Sequence, residues 1–387
     1  MTTELIEKKT WDDFDFKENL LRGIYCMGFE KPSVIQQKAI YPMITKHDII
    51  AQAQSGTGKT GTFSISALQL IDETMNETQA IIISPTHELS SQIYNVVCKL
   101  GSFMDNFGCQ LFIGGVPVQD DVHKIKEKRP QIAVGTSGRI HDLLKKNIIR
   151  QDHLKLIILD EADSMLSFGF KEQIYNIFQF LPEQTQVALF SASMPDDVLE
   201  LSKKFMREPI RLVMKAEELN LECIQQYYVA LQSDDEKYSI LKKLFEYCSV
   251  SQCIIYVNSI PRVERLFTAM LNDGFSVCCI HSSMNKDVRE ENFSIFKNGK
   301  CRVLISSNIT ARGIDVQQVR TVINFDIPSC VHTYLHRIGR SGRWGRKGVA
   351  INFITKRDLE TMKNIEKFYK SNIEELPIND SLYKLIN

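Results

Sequence analysis

The chain has 387 residues, of which 43% are hydrophobic and 24% charged, a length that suits two α/β domains better than one core. Lys plus Arg and Asp plus Glu number 47 each, so the formal net charge is zero. This balance excludes nucleic-acid binding through bulk positive charge and leaves only local contacts by backbone amides and a few arginines.

Membrane insertion and disulfide stabilisation are also not expected. No apolar run approaches the ~20 residues that span a bilayer. The ten cysteines and eight histidines show no Cys-x-x-Cys pair and no zinc-like spacing. We therefore expect an intracellular protein whose cysteines are reduced.

The first half of the chain alternates short apolar runs with helical patterns. Phe63, Ala67 and Ile71 are spaced four apart, which predicts a helix between two strands. The predicted strands are Asp48–Gln52, Ala80–Ser84, Ile132–Gly135, Leu156–Asp160 and Val187–Ser191. This alternation predicts a parallel sheet flanked by helices.

The same alternation restarts after a charged stretch. Its predicted strands are Cys253–Val257, Val277–His281, Arg302–Ser306, Thr321–Phe325 and Val349–Phe353. We therefore expect an N-terminal segment at 1–35, one α/β domain at 36–213, a linker at 214–224 and a second α/β domain at 225–387.

The most specific local motif is a glycine-rich loop between a predicted strand and a predicted helix. The loop consists of Ala53, Gln54, Ser55, Gly56, Thr57, Gly58, Lys59 and Thr60. Such a loop wraps a phosphate with its backbone N–H groups at a helix N-terminus. Lys59 would reach the β- and γ-phosphates and Thr60 would hold Mg²⁺. The motif predicts an ATP or GTP site.

A second motif follows the predicted strand Leu156–Asp160. The strand ends in Asp160 and Glu161, where ligands bind in open α/β sheets. Asp160 would hold Mg²⁺, and Glu161 would position or deprotonate the attacking water. A helix cap is the structural alternative, which we consider weaker because a glycine-rich loop precedes it.

The second half has no glycine-rich loop of this kind but contains arginines at three-residue spacing. If the segment is helical, Arg337, Arg340 and Arg343 share one face. That face is either a solvated surface or a phosphate clamp. Clustered arginines suit an arginine-finger role on a γ-phosphate bound by the first domain.

Together these motifs resemble those of the DEAD-box RNA helicases over nearly the whole chain. Asp160–Asp163 spells the motif that names the family. The resemblance implies two tandem RecA-like domains, with the ATP and RNA sites at the inter-domain cleft. It also implies that Phe29 stacks on adenine and Gln36 bonds its edge, and Trp11 occupies the position of an upstream aromatic.

The resemblance assigns further site residues. It implies that Ser191, Ser193 and His336 couple ATP hydrolysis to unwinding. Gly313 and Asp315 would approach the ATP ribose, and Arg340 and Arg343 match the arginine-finger positions. The implied RNA contacts are Pro85, Thr86, His87, Gly115, Thr136, Gly138, Arg139, Arg289 and Ser307. These residues would touch the sugar–phosphate backbone, so binding would be independent of sequence.

Several positions depart from the family pattern on the RNA side. His87 replaces an Arg, Ser137 replaces a Pro and Asn308 replaces an Asp. A neutral imidazole cannot replace a guanidinium on a phosphate. Our hypothesis is a retained ATPase with weakened RNA coupling, and the alternative is that neighbouring lysines compensate.

The resemblance extends in particular to the translation initiation factor 4A subgroup. It implies an ATP-dependent RNA helicase that separates local duplexes or remodels RNA–protein complexes in translation initiation. The implied partners are single-stranded RNA or mRNA and scaffold proteins of the initiation-factor type that bridge both domains, with a monomeric, cytoplasmic chain. The alternatives are a nuclear ATP-gated RNA clamp in an exon-junction-like or mRNA-processing complex, and a DNA-unwinding or signalling NTPase.

Overall fold

The computed structural model describes residues 8–53, 57–167, 169–213, 224–247, 252–308, 319–341 and 348–376. Contacts divide the chain into two units, Met1–Lys215 and Ala216–Asn387. The predicted linker lies outside the described residues except for Ile224, which begins a strand. No helix in these described ranges is long and apolar enough to cross a membrane.

Seven strands form the sheet of the first unit. They are β1 (Ile49–Gln52), β2 (Ala80–Ser84), β3 (Cys109–Phe112), β4 (Ile132–Thr136), β5 (Leu156–Asp160), β6 (Gln186–Ser191) and β7 (Ile210–Val213). Their order is β3-β4-β2-β5-β6-β1-β7, and every neighbouring pair is parallel. The five strands predicted in this half are confirmed, whereas β3 and β7 were not predicted.

Helices cover both faces of this sheet. They are α1 (Glu18–Cys26), α2 (Val34–Ile44), α3 (Lys59–Leu70), α4 (His87–Leu100), α5 (Val118–Glu127), α6 (Ser137–Lys145), α7 (Ala162–Ser167), α8 (Lys171–Gln179) and α9 (Asp196–Phe205). Successive residues of β2 face opposite cores, with Ile82 in one cluster and Ile81 and Ile83 in the other. Burial on both faces explains why central strands such as β2 and β5 are mostly apolar runs.

The N-terminal residues belong to the body of the first unit. Helix α1 packs against α3 and α4, and α2 packs against α3. Helix α2 also runs across residues 35 and 36, where the sequence suggested a boundary. We call residues 28–36, which contain the two residues predicted to contact adenine (Phe29 and Gln36), the adenine-reading motif. Because its end lies in α2, this motif is held against the helix that follows the glycine-rich loop.

The second unit repeats this architecture. Its strands are β8 (Ile224–Ala230), β9 (Cys253–Tyr256), β10 (Val277–Ile280), β11 (Val303–Ser306), β12 (Thr321–Asn324), β13 (Gly348–Ile354) and β14 (Glu374–Glu375). Their order is β10-β11-β9-β12-β13-β8-β14, again with all neighbours parallel. Counted from the first strand of each unit, the two strand orders are identical. The five strands predicted here are confirmed, whereas β8 and β14 were not predicted.

The helices of the second unit also flank its sheet. They are α10 (Glu236–Tyr247), α11 (Ile260–Asn272), α12 (Lys286–Lys297), α13 (Val331–Ile338) and α14 (Leu359–Tyr369). Along β9, Cys253 and Ile255 face one core while Ile254 and Tyr256 face the other. The predicted fold class, a pair of parallel sheets flanked by helices, is confirmed.

Candidate functional site

The carboxyl ends of the strands in the first unit carry the predicted site residues in two groups. Strands β5, β6 and β1 are neighbours, and they lead into the acidic motif, the Ser191–Ser193 segment and the glycine-rich loop. Strands β3, β4 and β2 are also neighbours, and they lead into the predicted RNA contacts. Because carboxyl ends of parallel strands share one edge, the predicted nucleotide residues and the predicted RNA residues form adjacent halves of that edge, which we call the nucleotide half and the RNA half after these predictions.

The described part of the glycine-rich loop holds its lysine in place. Lys59 is the first residue of α3 and is buried. Its Nζ donates to the Ala53 carbonyl at 2.7 Å, and the Ala53 N–H donates to the Ser191 carbonyl at 3.0 Å. The predicted residues Gln54, Ser55 and Gly56 lie outside the described part of the chain.

The adenine-reading motif packs directly on this loop. Gln36 donates through Nε2 to the Gly58 carbonyl at 3.4 Å and accepts from the Ser33 N–H at 2.7 Å. Gly58 has φ +103°, and a Cβ there would lie 2.7 Å from Ser33 Oγ. A Cβ at Gly61 would lie 2.7 Å from Gln36 Nε2. The backbone conformation of Gly58 therefore favours glycine, and a side chain at position 61 would displace the Gln36 amide, so loop and motif form one packed structure.

Trp11 supports the aromatic ring predicted to stack on adenine. Trp11 is only 1% exposed, and its Nε1 donates to the Phe29 carbonyl at 2.8 Å. The two rings are stacked, with centroids 6.4 Å apart. Trp11 therefore fixes both the backbone and the ring of Phe29.

The acidic motif begins at a sharp turn between β5 and α7. Asp160 is buried, and its Oδ1 accepts from the Glu161 N–H at 3.0 Å. Burial raises the pKa of Asp160, and Lys59 opposes that shift. Glu161 has φ +54°, a left-handed conformation that costs energy in a residue with a side chain. Strain at this junction is typical of a residue held for function.

The predicted coupling segment contacts the same motif. Ser193 Oγ donates to Asp163 Oδ2 at 2.6 Å, and the Asp163 N–H donates to Ser191 Oγ at 3.3 Å. All three residues are buried. The structure thus brings Ser191 and Ser193 together with the last carboxylate of the acidic motif.

The residues predicted to hold Mg²⁺ offer oxygen ligands of the right kind. Asp160 supplies a buried carboxylate at the end of β5, and Thr60 supplies a hydroxyl in the first turn of α3. Among the described residues there is no cluster of three or more His, Cys, Asp or Glu that could hold a metal. This donor set suits Mg²⁺, which is commonly held by one or two carboxylates together with substrate phosphates.

Two helix N-termini lie in the RNA half of the edge. Thr86 is the N-cap of α4, and its Oγ1 accepts from the Leu89 N–H at 3.2 Å. Thr136 is the N-cap of α6. Helix N-termini attract phosphates because their N–H groups point outward and carry positive partial charge.

The other predicted RNA residues of this unit lie at the same two helices or in the loop after β3. Pro85 precedes the N-cap Thr86, and His87 is the first residue of α4. A Cβ at Gly114 would lie 3.4 Å from His87 Nε2, so the histidine packs beside this loop. Gly115 and Gly138 are exposed, and Gly115 has φ +85°.

Arg139, which is also predicted to contact RNA, is buried. Its guanidinium forms a buried ion pair with Asp121 of α5, and its Nη2 donates to the Val116 carbonyl at 2.5 Å. The side chain is only 8% exposed, so it holds the loop that contains Gly115 instead of pointing into solvent. In this structure Arg139 therefore positions the loop, and its RNA contact stays a prediction.

In the RNA half, the sequence analysis missed two residues that bond to Arg139 and Ser137. Asp121 lies on the face of α5 shared with Val118 and Ile125, and a carboxylate on an apolar face needs a cation. The helical spacing of these three residues could have revealed Asp121 as the partner of a buried cation. Gln173 of α8 accepts from Ser137 Oγ at 3.0 Å, so a hydrogen bond holds the first residue of α6, a position where the resembling family has a proline. No local pattern marks Gln173.

In the second unit the arginine motif does not form one helical face. Helix α13 ends at Ile338, so Arg340 lies beyond the helix. Arg337 is fully buried inside the unit. Arg340 is also buried, and its Nε donates to the carbonyl of the buried His336 at 3.1 Å. Arg343, Gly313 and Asp315 lie outside the described residues.

The remaining predicted RNA residues lie near two neighbouring strands of the second sheet. Ser307 directly follows β11, and its N–H donates to the Ile280 carbonyl at 3.4 Å. Arg289 lies on α12, which follows β10. Strands β10 and β11 occupy the same places in their sheet as β3 and β4 in the first, so both units carry predicted RNA residues at equivalent places.

Known protein families and proteins match this chain over most of its length. The sequence model of the DEAD/DEAH box helicase family matches residues 33–201, and that of the helicase conserved C-terminal domain matches residues 236–345. The chain is 51% identical to a protein of Chaetomium globosum named ATP-dependent RNA helicase eIF4A, over 96% of this chain and 93% of that protein. The chain belongs to the DEAD/DEAH box helicase family.

Other helicases extend the comparison. The eIF4A of Phaeosphaeria nodorum is 50% identical over 96% of this helicase and 94% of that protein. The structure of S. cerevisiae Dbp5 bound to RNA and ADP BeF3 matches with a TM-score of 0.89 and 34% identity, covering 96% of this helicase and 97% of that chain. The predicted family and the two RecA-like domains are confirmed.

Proposed function

We propose that this chain is an ATP-dependent RNA helicase of the eIF4A type, which hydrolyses ATP to separate short RNA duplexes during translation initiation. One observation carries the proposal: in the first unit, the residues predicted to bind nucleotide and those predicted to bind RNA follow neighbouring strands at the carboxyl edge of one sheet. Identity of about half to proteins named eIF4A supports the same conclusion.

ATP is the nucleotide that this site favours. The Gln36 amide bonds the loop through Gly58, and the Phe29 ring is held by Trp11. At these places an amide can hydrogen bond to the edge of adenine, and an aromatic ring can stack on its face. Lys59 would hold the β- and γ-phosphates, because it begins the helix that follows the loop.

Hydrolysis would depend on the two carboxylates after β5. Glu161 would orient the attacking water and take its proton. Asp160 and Thr60 would hold Mg²⁺, which supplies positive charge to the phosphates when bound. Asp163 would link the acidic motif to Ser191 and Ser193, to which it is hydrogen bonded.

The second unit would contribute the remaining catalytic charge. By family resemblance, Arg340 and Arg343 act as arginine fingers on the γ-phosphate, and Gly313 and Asp315 approach the ribose. His336 would couple ATP hydrolysis to unwinding, since its backbone carbonyl accepts a hydrogen bond from Arg340 Nε. An arginine finger stabilises the charge that develops in phosphoryl transfer.

RNA would bind through its sugar–phosphate backbone. The N-termini of α4 and α6 offer N–H groups to phosphates without reading bases. This mode needs few cationic side chains, which agrees with the zero net charge. Thr86, Thr136, Gly115 and Gly138 would contact RNA directly, while Arg139 would position the loop that contains Gly115.

We further propose that the helicase acts in the cytoplasm as a monomer, on mRNA, with scaffold proteins of the initiation-factor type. The solved structures include S. cerevisiae Dbp5 bound to Gle1, which supports partner binding in the wider family. The relatives named eIF4A favour this setting over a nuclear RNA clamp.

Separation of a short RNA duplex tests the proposal. The wild-type chain should release the labelled strand when ATP is present and not when ADP replaces it. Glu161→Gln should bind ATP and RNA but release no strand. A DNA duplex of the same sequence is the substrate control. Equal strand release with DNA, or release by Glu161→Gln, would contradict the proposed function.

A further inference from the structure

A buried guanidinium in the second unit has all its donors paired with uncharged acceptors. Arg337 donates through Nε to Asn308 Oδ1 at 2.9 Å, and through Nη2 to the same oxygen at 2.5 Å and to Asn258 Oδ1 at 2.6 Å. Its Nη1 donates to Asn324 Oδ1 at 3.2 Å and to the Asp326 carbonyl at 2.7 Å. These bonds use all five N–H donors of the guanidinium.

The carboxylate of Asp326 is hydrogen bonded to other cations and not to Arg337. Asp326 accepts from Arg262 Nη2 at 2.5 Å and from Lys237 Nζ at 2.9 Å, and only its backbone carbonyl meets Arg337. The fully buried Arg337 side chain also lies over the Tyr256 ring. Burial lowers the pKa of Arg337 to about 10. A buried cation held by amides costs free energy, which indicates that its geometry matters.

The three asparagines come from three neighbouring strands. Asn308 lies two residues after β11, Asn258 lies two residues after β9, and Asn324 ends β12. The sheet order is β11-β9-β12. We call Asn258, Asn308 and Asn324 the asparagine cage of Arg337.

The cage joins two functional segments of the second unit. On one side, Asn308 follows Ser307, a proposed RNA contact. On the other side, Arg337 follows His336 in α13, and the His336 carbonyl accepts from Arg340. A displacement of the turn at Ser307 would move Asn308, and Asn308 holds two of the three nitrogens of Arg337.

We propose that the asparagine cage is a coupling element that transmits RNA binding at Ser307 to the helix carrying His336 and the turn carrying Arg340. This inference rests on the proposed function. Arg337 and Asn258 are positioning residues, because each acts through its bonds to other protein groups. Opening the cage should lower the RNA-stimulated rate while leaving the affinities for RNA and ATP unchanged.

Asn258→Ala tests the coupling because Asn258 belongs to the cage but lies in neither of the two functional segments that the cage joins. It removes the acceptor of one Nη2 donor and also the bond from Asn258 Nδ2 to the Ile327 carbonyl. Gln252→Ala is the matched control. Gln252 is a buried amide before the same strand, and its Nε2 donates to the Phe296 and Cys301 carbonyls at 2.7 and 3.2 Å.

ATP turnover by the full chain is measured against the concentration of single-stranded RNA at saturating ATP. For Asn258→Ala we expect the RNA-stimulated kcat to fall about ten-fold or more, the effect of losing one hydrogen bond to a charged group. The KM for ATP, the half-saturating RNA concentration and the turnover without RNA should stay within about two-fold. Gln252→Ala should keep the wild-type kcat, and a melting curve of each variant shows that it is folded.

An equal kcat for Asn258→Ala and Gln252→Ala would overturn the coupling role and leave the cage purely structural. If Asn258→Ala does not fold, Asn258→Ser makes the smaller change and is judged by the same comparison. Absence of RNA stimulation in the wild-type chain would overturn the proposed function itself, and this result appears before any variant is compared.

Discussion

The buried ion pair between Arg139 and Asp121 gives a stability prediction that can be worked from the structure. The two side chains are 8% and 1% exposed. Asp121→Asn keeps the shape of the side chain but leaves the guanidinium buried without its carboxylate. Removing one partner of a buried pair costs about 3–5 kcal/mol. For a unit of this size that cost lowers Tm by about 6–20 °C.

The assay follows the first unit alone. The chain has two tryptophans, so in a Trp344→Phe background the buried Trp11 reports unfolding of this unit by fluorescence. Asp142→Asn is the matched control on α6, because Asp142 pairs with Lys146 at 2.8 Å in an exposed position. An exposed pair contributes less than about 1 kcal/mol, so the control should lose less than about 4 °C.

The result that refutes this reasoning is an Asp121→Asn protein that melts within about 2 °C of the Asp142→Asn control. Below its melting range, Asp121→Asn should also bind single-stranded RNA more weakly, since the loop that contains Gly115 loses its anchor. Asp121→Glu keeps the negative charge and should recover part of both properties.

The remaining predictions concern single residues. Trp11→Ala removes a hydrogen bond and an aromatic contact from Phe29, and it should raise the KM for ATP about five-fold or more without changing RNA affinity. His87→Arg should strengthen RNA binding roughly ten-fold, as measured by fluorescence anisotropy, and an unchanged Kd would refute a weakened phosphate contact. Hydrogen bonding from Cys109 lowers the pKa of Cys98 to about 7, so alkylation of Cys98 should rise as pH increases through 7, while Cys109, whose pKa is raised by burial, stays unmodified.

The sequence predicts the central strands well because they are buried on both faces. Strands β2 and β5 are wholly buried apolar runs, so they stand out from their surroundings. The missed strands have weaker patterns. Edge strand β7 has two exposed residues among four, and the apolar run of β8 is interrupted near its start by two consecutive polar residues, Gln225 and Gln226. Whether such segments form strands depends on their pairing with neighbouring strands, which the local sequence does not show.

The motif residues could be predicted, but their partners could not. Lys59, Asp160 and Glu161 are marked by the strand or helix that they adjoin. Asp121 and Gln173 lie 18 and 36 residues from the groups that they bond, so only the fold brings them together. The prediction that Arg337 and Arg340 share one helical face is wrong, because α13 ends at Ile338. The next residue is Gly339, and glycine often marks helix C-termini.

Steady-state ATP hydrolysis with and without single-stranded RNA tests the central claim most directly. Purified wild-type chain should turn over ATP faster when RNA is added, and Glu161→Gln should reduce turnover to background under both conditions. ATP binding without any stimulation by RNA would contradict a helicase-type ATPase. Turnover that persists in Glu161→Gln would contradict the assignment of the site after β5.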